Sequence, residues 1–323
     1  MEVTFIPELY SISLNDDRNP TDDASFSTLT SSPGLLGINI FHSCKGLLCC
    51  ATYNENKLDN DYHVYNPTTK QFITLPQPVE GVEGDVYGLC LAFDPSKSAH
   101  YKVVCVWTTP LSDYFQIEIY SSETGQWRIS GEPFYTEDTL FGYGVYWNGS
   151  INWINIWEDS LYFNVDEERL GKIPMRKIRG NHYFDTPWRY FGESQDHLHL
   201  IEVCDPCNTH FSVYGMKKDY SEWFLNYSVD LDDLLTTFPE MTRCNPNSVS
   251  FDRYDFSILS LLRGEKDEES YLVLYIPGKA IRYNLVNGTF WKLCDIETMT
   301  GKQSLHHHGW PDVYEYIESL ASV

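Results

Sequence analysis

The stretch Phe115-Gln-Ile-Glu-Ile-Tyr120-Ser-Ser-Glu-Thr-Gly125-Gln-Trp127-Arg decides the fold. Phe115 to Tyr120 alternates apolar and polar residues, the pattern of a half-buried strand with one wet face. An aromatic, Tyr120, and a small residue, Ser121, close the run, and Glu123-Thr-Gly makes a tight turn. Trp127 then restarts an apolar run seven residues after Tyr120.

The same landmark recurs at Tyr65-Asn66, Phe163-Asn164, Tyr214-Gly215 and Tyr283-Asn284, and polar turns follow it. The seven-residue partner is Phe72, Leu170 or Phe290; the Tyr214 copy is looser and reaches Trp223 at nine. Copies are spaced by 55, 43, 51 and 69 residues. A period of about 54 is that of four-stranded propeller blades, and 323 residues divided by it give about six. The expected fold is an all-β propeller of six four-stranded blades in one domain, 1–323.

Strands can be placed. The second copy reads Leu89 to Phe93, Tyr101 to Trp107, Phe115 to Tyr120 and Trp127 to Ile129; the third begins Gly144-Val-Tyr-Trp, turns at Asn148-Gly and continues through Ile151 to Ile154. The ends, Phe5 to Ser13 and Val313 to Leu320, are strand-like and are expected to pair and close the ring, which removes open sheet edges. Residues 15–34 read as an acidic, Ser/Thr-rich loop. Helical periodicity is confined to Asp230-Leu-Asp-Asp-Leu-Leu. Two β-sandwiches are the alternative, and the fixed period disfavours them.

Composition narrows function. With 23 Lys plus Arg against 46 Asp plus Glu, the net charge is −23. Such a chain repels phosphate backbones and anionic membranes, so neither nucleic acid nor membrane is an expected partner, and a basic protein is favoured. Aromatics make up 15% of residues, against the habit of disordered acidic chains. No apolar run is long enough to span a bilayer, and the first residues show no secretory pattern. Nine scattered cysteines read as reduced thiols of a cytoplasmic or nuclear protein.

No catalytic, cofactor or metal set emerges. Cys204-Asp-Pro-Cys207 lacks a second pair at zinc spacing. His306-His-His308 is a loop without a placed carboxylate, and the acidic runs at Asp16-Asp17, Asp22-Asp23 and Glu265 to Glu269 lack calcium-loop spacing. Glu118 has no paired carboxylate for glycoside hydrolysis. There is no phosphate-binding glycine loop and no Gly-x-Ser-x-Gly elbow.

The loops carry the functional signal. The a–b and c–d turns are mostly tight, while the b–c and d–a connections are long, so irregular chain collects on one rim. That is the usual layout of a binding scaffold. Its expected partner-contacting residues are Tyr114, Trp157, Tyr183, Trp188, His308 and Trp310. Alternatives are a carbohydrate-binding or glycoside-hydrolase propeller, or one that senses a small molecule.

Several motifs together resemble the F-box-associated, kelch-like propeller domain of plant F-box proteins. They include Ser43-Cys-Lys-Gly-Leu-Leu-Cys-Cys, Val64-Tyr-Asn-Pro-Thr-Thr-Lys-Gln-Phe, Leu91-Ala-Phe-Asp-Pro, Gly144-Val-Tyr-Trp-Asn-Gly, and Leu272-Val-Leu-Tyr-Ile-Pro-Gly-Lys. The resemblance covers roughly residues 35 to 323. It implies a non-catalytic, protein-binding propeller that selects targets for an SCF-type ubiquitin ligase. In that family an N-terminal F-box docks a Skp-type adaptor. Residues 1–34 show no Leu-Pro-rich F-box, so adaptor docking is expected only with an F-box upstream.

Overall fold

In a computed structural model of the chain, the described residues are 10–11, 21–22, 35–54, 60–78, 84–110, 113–175, 188–203, 209–243, 253–296, 306–307, 310–311 and 313–323. The fold is an all-β propeller with five four-stranded antiparallel blades. Blade 1 is β1 (Leu35–Cys44), β2 (Leu47–Asn54), β3 (Asp61–Asn66) and β4 (Gln71–Thr74). Blade 2 is β5 (Val86–Ala92), β6 (Lys102–Thr108), β7 (Tyr114–Ser121) and β8 (Gln126–Tyr135). Blade 3 is β9 (Val145–Trp147), β10 (Ser150–Trp153), β11 (Ser160–Asn164) and β12 (Arg169–Ile173). Blade 4 is β13 (Trp188–Ser194), β14 (His197–Val203), β15 (His210–Met216) and β16 (Trp223–Asp230). Blade 5 is β17 (Ser257–Leu262), β18 (Tyr271–Ile276), β19 (Lys279–Asn284) and β20 (Phe290–Asp295). A short helix, α1 (Asp232–Thr237), follows blade 4 where the Asp-rich run predicts it.

In four of the five blades the landmark ends the third strand. Its aromatic faces the apolar residue seven positions on across the third hairpin: Tyr65 with Phe72, Tyr120 with Trp127, Phe163 with Leu170, Tyr283 with Phe290. In blade 4 the strand runs two residues further, so Met216 faces Trp223 and the seven-residue span is kept. The small residue has a physical task. The side-chain oxygen of Asn66 accepts the amides of Thr68 (2.9 Å) and Thr69 (3.3 Å). Asn164 and Asn284 bind the amides two and three residues on in the same way. An asparagine capping its own turn stands in for a backbone bond that the reversal cannot supply.

The expectation of six blades is corrected to five. Division by the period assigns the residual length to a sixth blade. The structure gives part of that length to connections, including α1 and a two-residue ribbon joining Thr242–Arg243 to Arg253–Tyr254. Among the described residues no pairing of the two ends is seen. Tyr10–Ser11 pairs with Thr21–Asp22, inside the stretch expected to be loop, and residues 313–323 form no strand. Phe5 to Leu9, Ile12 and Ser13 lie outside the described residues.

The chain divides into two compact units, one holding blades 1–3 with Tyr314–Val323 and the other blades 4 and 5. Within the first unit, alternation explains the packing. Leu89, Leu91, Val103, Cys105 and Tyr120 of blade 2 join a core with blade 1, whereas Cys90, Val104, Val106, Ile117 and Ile119 join one with blade 3. Successive side chains point to opposite sheet faces, so a blade buried on both faces needs a nearly continuous apolar run. This corrects the half-buried reading of Phe115 to Tyr120. Gln116 and Glu118 are buried, because the neighbouring blade covers the face that a lone sheet would leave wet. Gln116 donates to the carbonyls of Ser130 (3.1 Å) and Gly131 (3.2 Å). The second unit has its own core, built around Val213, Leu231, Leu272 and Ile281.

His42 staples the first unit together. Its Nδ1 accepts the Leu91 amide at 3.1 Å, and its ring also bonds the backbone of Gly144. Burial lowers its pKa to about 4, so the ring is neutral at physiological pH. Gly144 must be glycine: a Cβ there would lie 2.4 Å from Cys90 Sγ. Cys44, Cys49, Cys50, Cys90, Cys105 and Cys294 are buried thiols outside any disulfide, and burial pushes the Cys50 and Cys90 thiols up to about 12. They act as small apolar fillers.

Candidate functional site

Tyr114 is the first residue of β7 and is 44% exposed. Its ring lies 6.1 Å from Tyr135, the last residue of β8, which is 54% exposed. Tyr87, 51% exposed, stands at the start of β5 and meets Phe115 edge-on at 5.4 Å. Behind these rings Phe115, Phe134, Phe141 and Trp153 stack through blades 2 and 3. The exposed rings therefore rest on a rigid aromatic base.

Trp157, 59% exposed, lies in the b–c loop of blade 3, between β10 and β11. Buried Asn155 holds it there. The Asn155 side-chain oxygen accepts the amides of Trp157 (2.8 Å) and Glu158 (2.7 Å), and its Nδ2 donates to the Glu137 carbonyl (2.5 Å) and to Thr139 Oγ1 (3.1 Å). Ile156 N donates to the Asp138 carbonyl, and Leu140 N to that of Ile154. The Glu137 carboxylate accepts the Tyr135 hydroxyl. One hydrogen-bonded chain thus ties Tyr135, the blade 2–3 connection and Trp157 together on the long-loop rim of the first unit.

Sequence reasoning places Tyr114 and Trp157 on that rim and misses Tyr87 and Tyr135. Tyr87 lies within a register break between Val86 and Gly88 in β5, and Tyr135 follows one between Ser130 and Phe134 in β8. A bulge shifts which face each later residue takes, and alternation cannot reveal it. In the second unit Trp188 opens β13, and Trp310 lies in a two-residue strand paired with His306–His307 and set beside β13 and β17. Tyr183 and His308 lie outside the described residues, as do Cys204 and Cys207. Glu265 to Glu269 form an exposed turn with Arg263 paired to Asp267 at 3.2 Å.

Two other polar groupings stand out. A cavity of about 210 Å³ opens between β8 and the β11–β12 hairpin, lined by Ile117, Phe134, Phe163 and Glu168 among others. Its carboxylate is occupied. Glu168 is gripped by the Arg128 guanidinium and accepts Ser130 Oγ at 2.7 Å; the hydrogen bond to Arg128 is the main cause holding its pKa below the ordinary value. In blade 4, His210, Asp230 and Asp232 bring one ligand atom each within 4.8 Å, all exposed, with His210 and Asp230 paired at 3.2 Å.

The blades and the aromatic loop rim define a propeller scaffold of the binding kind. Residues 3–190 match the family described as F-box associated beta propeller domain. The chain is 33% identical over 334 residues to F-box protein At5g07610 of Arabidopsis thaliana, covering 97% of this chain and 77% of that protein. It belongs to the F-box-associated propeller family. Solved structures give distant likenesses. A prolyl endopeptidase has a TM-score of 0.45 at 9% identity, over 90% of this chain and 46% of that one. The β-propeller domain of the Trilobed protease from Pyrococcus furiosus has a TM-score of 0.40 at 13% identity, over 76% and 65%. These scores are too low to bear on function.

Proposed function

We propose that this propeller is a non-catalytic protein-recognition module and that its long-loop rim binds the partner. In a chain with an F-box upstream it serves as the target-selecting part of an SCF-type ubiquitin ligase, reaching a Skp-type adaptor through that F-box in cytoplasm or nucleus. The observation that carries the reading is the cluster of Tyr87, Tyr114, Tyr135 and Trp157, exposed yet held from behind. Large rings left in water on a rigid base are the anchors that interfaces use. Family membership supports a role in protein interaction. The cavity beside Glu168, at about 210 Å³, is smaller than the roughly 300 Å³ at which small-ligand sites begin, and its carboxylate is already held by Arg128 and Ser130, so that cavity gives no support to a sugar or small-molecule site there.

The test is retention of partners on the immobilised chain. Trp157→Ala with Tyr114→Ala should weaken a retained partner at least ~30-fold while the melting transition stays in place. Retention that survives these changes but is lost on substituting the short c–d turns places binding on the other rim.

A further inference from the structure

We propose that the loop rim of blades 2 and 3 takes a positively charged, arginine-bearing polypeptide segment; this rests on reading that rim as the partner-binding face. The two rims of the first unit carry charge differently. On the short-turn rim every described acid but Glu123 is matched: Lys97 pairs with Asp94 (3.5 Å), Lys102 with Asp166 (3.0 Å), Arg169 with Glu167 (3.1 Å), and Arg128 with Glu168. On the loop rim, Asp85, Asp113, Glu137, Asp138, Glu158 and Asp159 make no ion pair among the described residues. The described loops that carry them contain no lysine or arginine. The cations nearest to them along the chain are Arg128, nine residues before Glu137, and Arg169, ten residues after Asp159, and each is already paired on the short-turn rim, with Glu168 and Glu167.

A face holding several uncompensated carboxylates attracts cations and repels acidic chains, so complementarity selects a basic partner. Interleaving of acids with exposed rings selects further. Glu137 adjoins Tyr135, Glu158 follows Trp157, and Asp113 precedes Tyr114. A guanidinium is flat, stacks on a ring, and at its edge donates a pair of hydrogen bonds to a carboxylate; an ammonium cannot do both. The chain already makes this contact internally: the Arg282 guanidinium lies 3.6 Å from the Tyr271 ring centre and 5.0 Å from that of Trp291. Because Asn155 fixes the loops in advance, ordering the rim costs the complex little entropy.

The experiment uses the full chain and fluorescence anisotropy with labelled peptides of alternating arginine and glycine, lysine and glycine, or glutamate and glycine. The arginine peptide should bind several-fold tighter than the lysine peptide and weaken steeply with added salt, and the glutamate peptide should not bind. Trp157→Ala, and separately Asp138→Asn with Glu158→Gln, should each cost about tenfold, while Glu123→Gln on the opposite rim should change nothing. Equal losses from neutralising either rim, or equal affinity for lysine and arginine, overturn the proposal. A selection from random displayed peptides separates the two levels of the argument. Neutral or acidic winners that depend on Trp157 overturn the charge chemistry and leave the rim as the binding face. Winners indifferent to Trp157 overturn both.

Discussion

The final residues of the chain act as a strap on blade 1, and Asn66 is where that strap is fastened. Asn66 is fully buried. Its oxygen caps the β3–β4 turn, while its Nδ2 donates to the carbonyls of Ser319 (3.0 Å) and Ala321 (2.7 Å). In blade 5 the equivalent Asn284 sends its amide to the Glu268 carbonyl in the first hairpin connection of its own blade. The corresponding turn in blade 1 is only Lys45-Gly46, too short to reach, and the strap takes its place. Each neutral hydrogen bond contributes about 1 kcal/mol net. Asn66→Ala should therefore cost roughly 4 kcal/mol, about half from the turn and half from the strap. Deleting residues 314–323 removes only the strap's share, so in that background Asn66→Ala should cost only about 2 kcal/mol. Asn66→Asp keeps the turn acceptor and loses the strap donor, which tests the same division in the full chain. Urea unfolding followed by tryptophan fluorescence and far-ultraviolet dichroism measures all five proteins, with coincident transitions required before free energies are compared. If Asn66→Ala costs the same in both backgrounds within about 0.5 kcal/mol, the strap is not held by Asn66 and the argument fails.

Gly46 lies under the strap at φ +84°, and a Cβ there would fall 2.3 Å from Ser319 Cβ and 2.6 Å from the Ile317 carbonyl oxygen. Gly46→Ala should cost about 1 kcal/mol of left-handed strain in the strapless chain and clearly more in the full chain; equal urea midpoint shifts in both would show that the contact is not tight. His42 titrates near 6.5 when unfolded and at about 4 when folded, so only the unfolded state gains its proton between those values, and stability falls as pH drops through that window. Between neutral pH and about pH 5 the loss assigned to His42 is about 2 kcal/mol, and buried His199, lowered to about 3 mainly by desolvation, adds a similar share. His42→Gln should be less stable at neutral pH yet flatten the pH slope by that amount; an unchanged slope in urea midpoints would remove His42 from the account.

Much of the architecture was legible because it is local. The aromatic-plus-small landmark reports a strand end and a capped turn, and both are settled within about ten residues of chain. The partner seven residues on is a cross-strand neighbour, so the spacing survives wherever the hairpin does. Features set by distant chain left no such trace. The strap joins Asn66 to residues more than 250 positions away, and nothing in Tyr316-Ile-Glu-Ser-Leu distinguishes an edge strand from an extended segment held by side chains. Dividing the full length by the period produced the extra blade, and reading this segment as strand gave that blade a place to close. Burial of Gln116 and Glu118 depends on the adjoining blade, and the outward turn of Tyr87 and Tyr135 depends on bulges. On the rim, Tyr114 and Trp157 were expected because loop length marks the face, and the structure leaves both exposed.

The first unit divides its work between its rims. The short-turn rim carries the asparagine caps, the matched ion pairs and the strap, all of which close hydrogen bonds or charges internally. Exposed ion pairs of this kind add little stability one by one, but they leave that rim electrically quiet and offer a partner few unmet groups. The loop rim is built the other way. Its backbone is tied down through Asn155, yet its rings stay largely exposed and its carboxylates form no ion pair among the described residues. A merely tolerant surface would gain solubility from scattered charge of both signs and would bury its rings. Rigid placement of unmet rings beside unmet acids costs stability without return in the isolated protein, so the arrangement makes physical sense when something else supplies the missing cations.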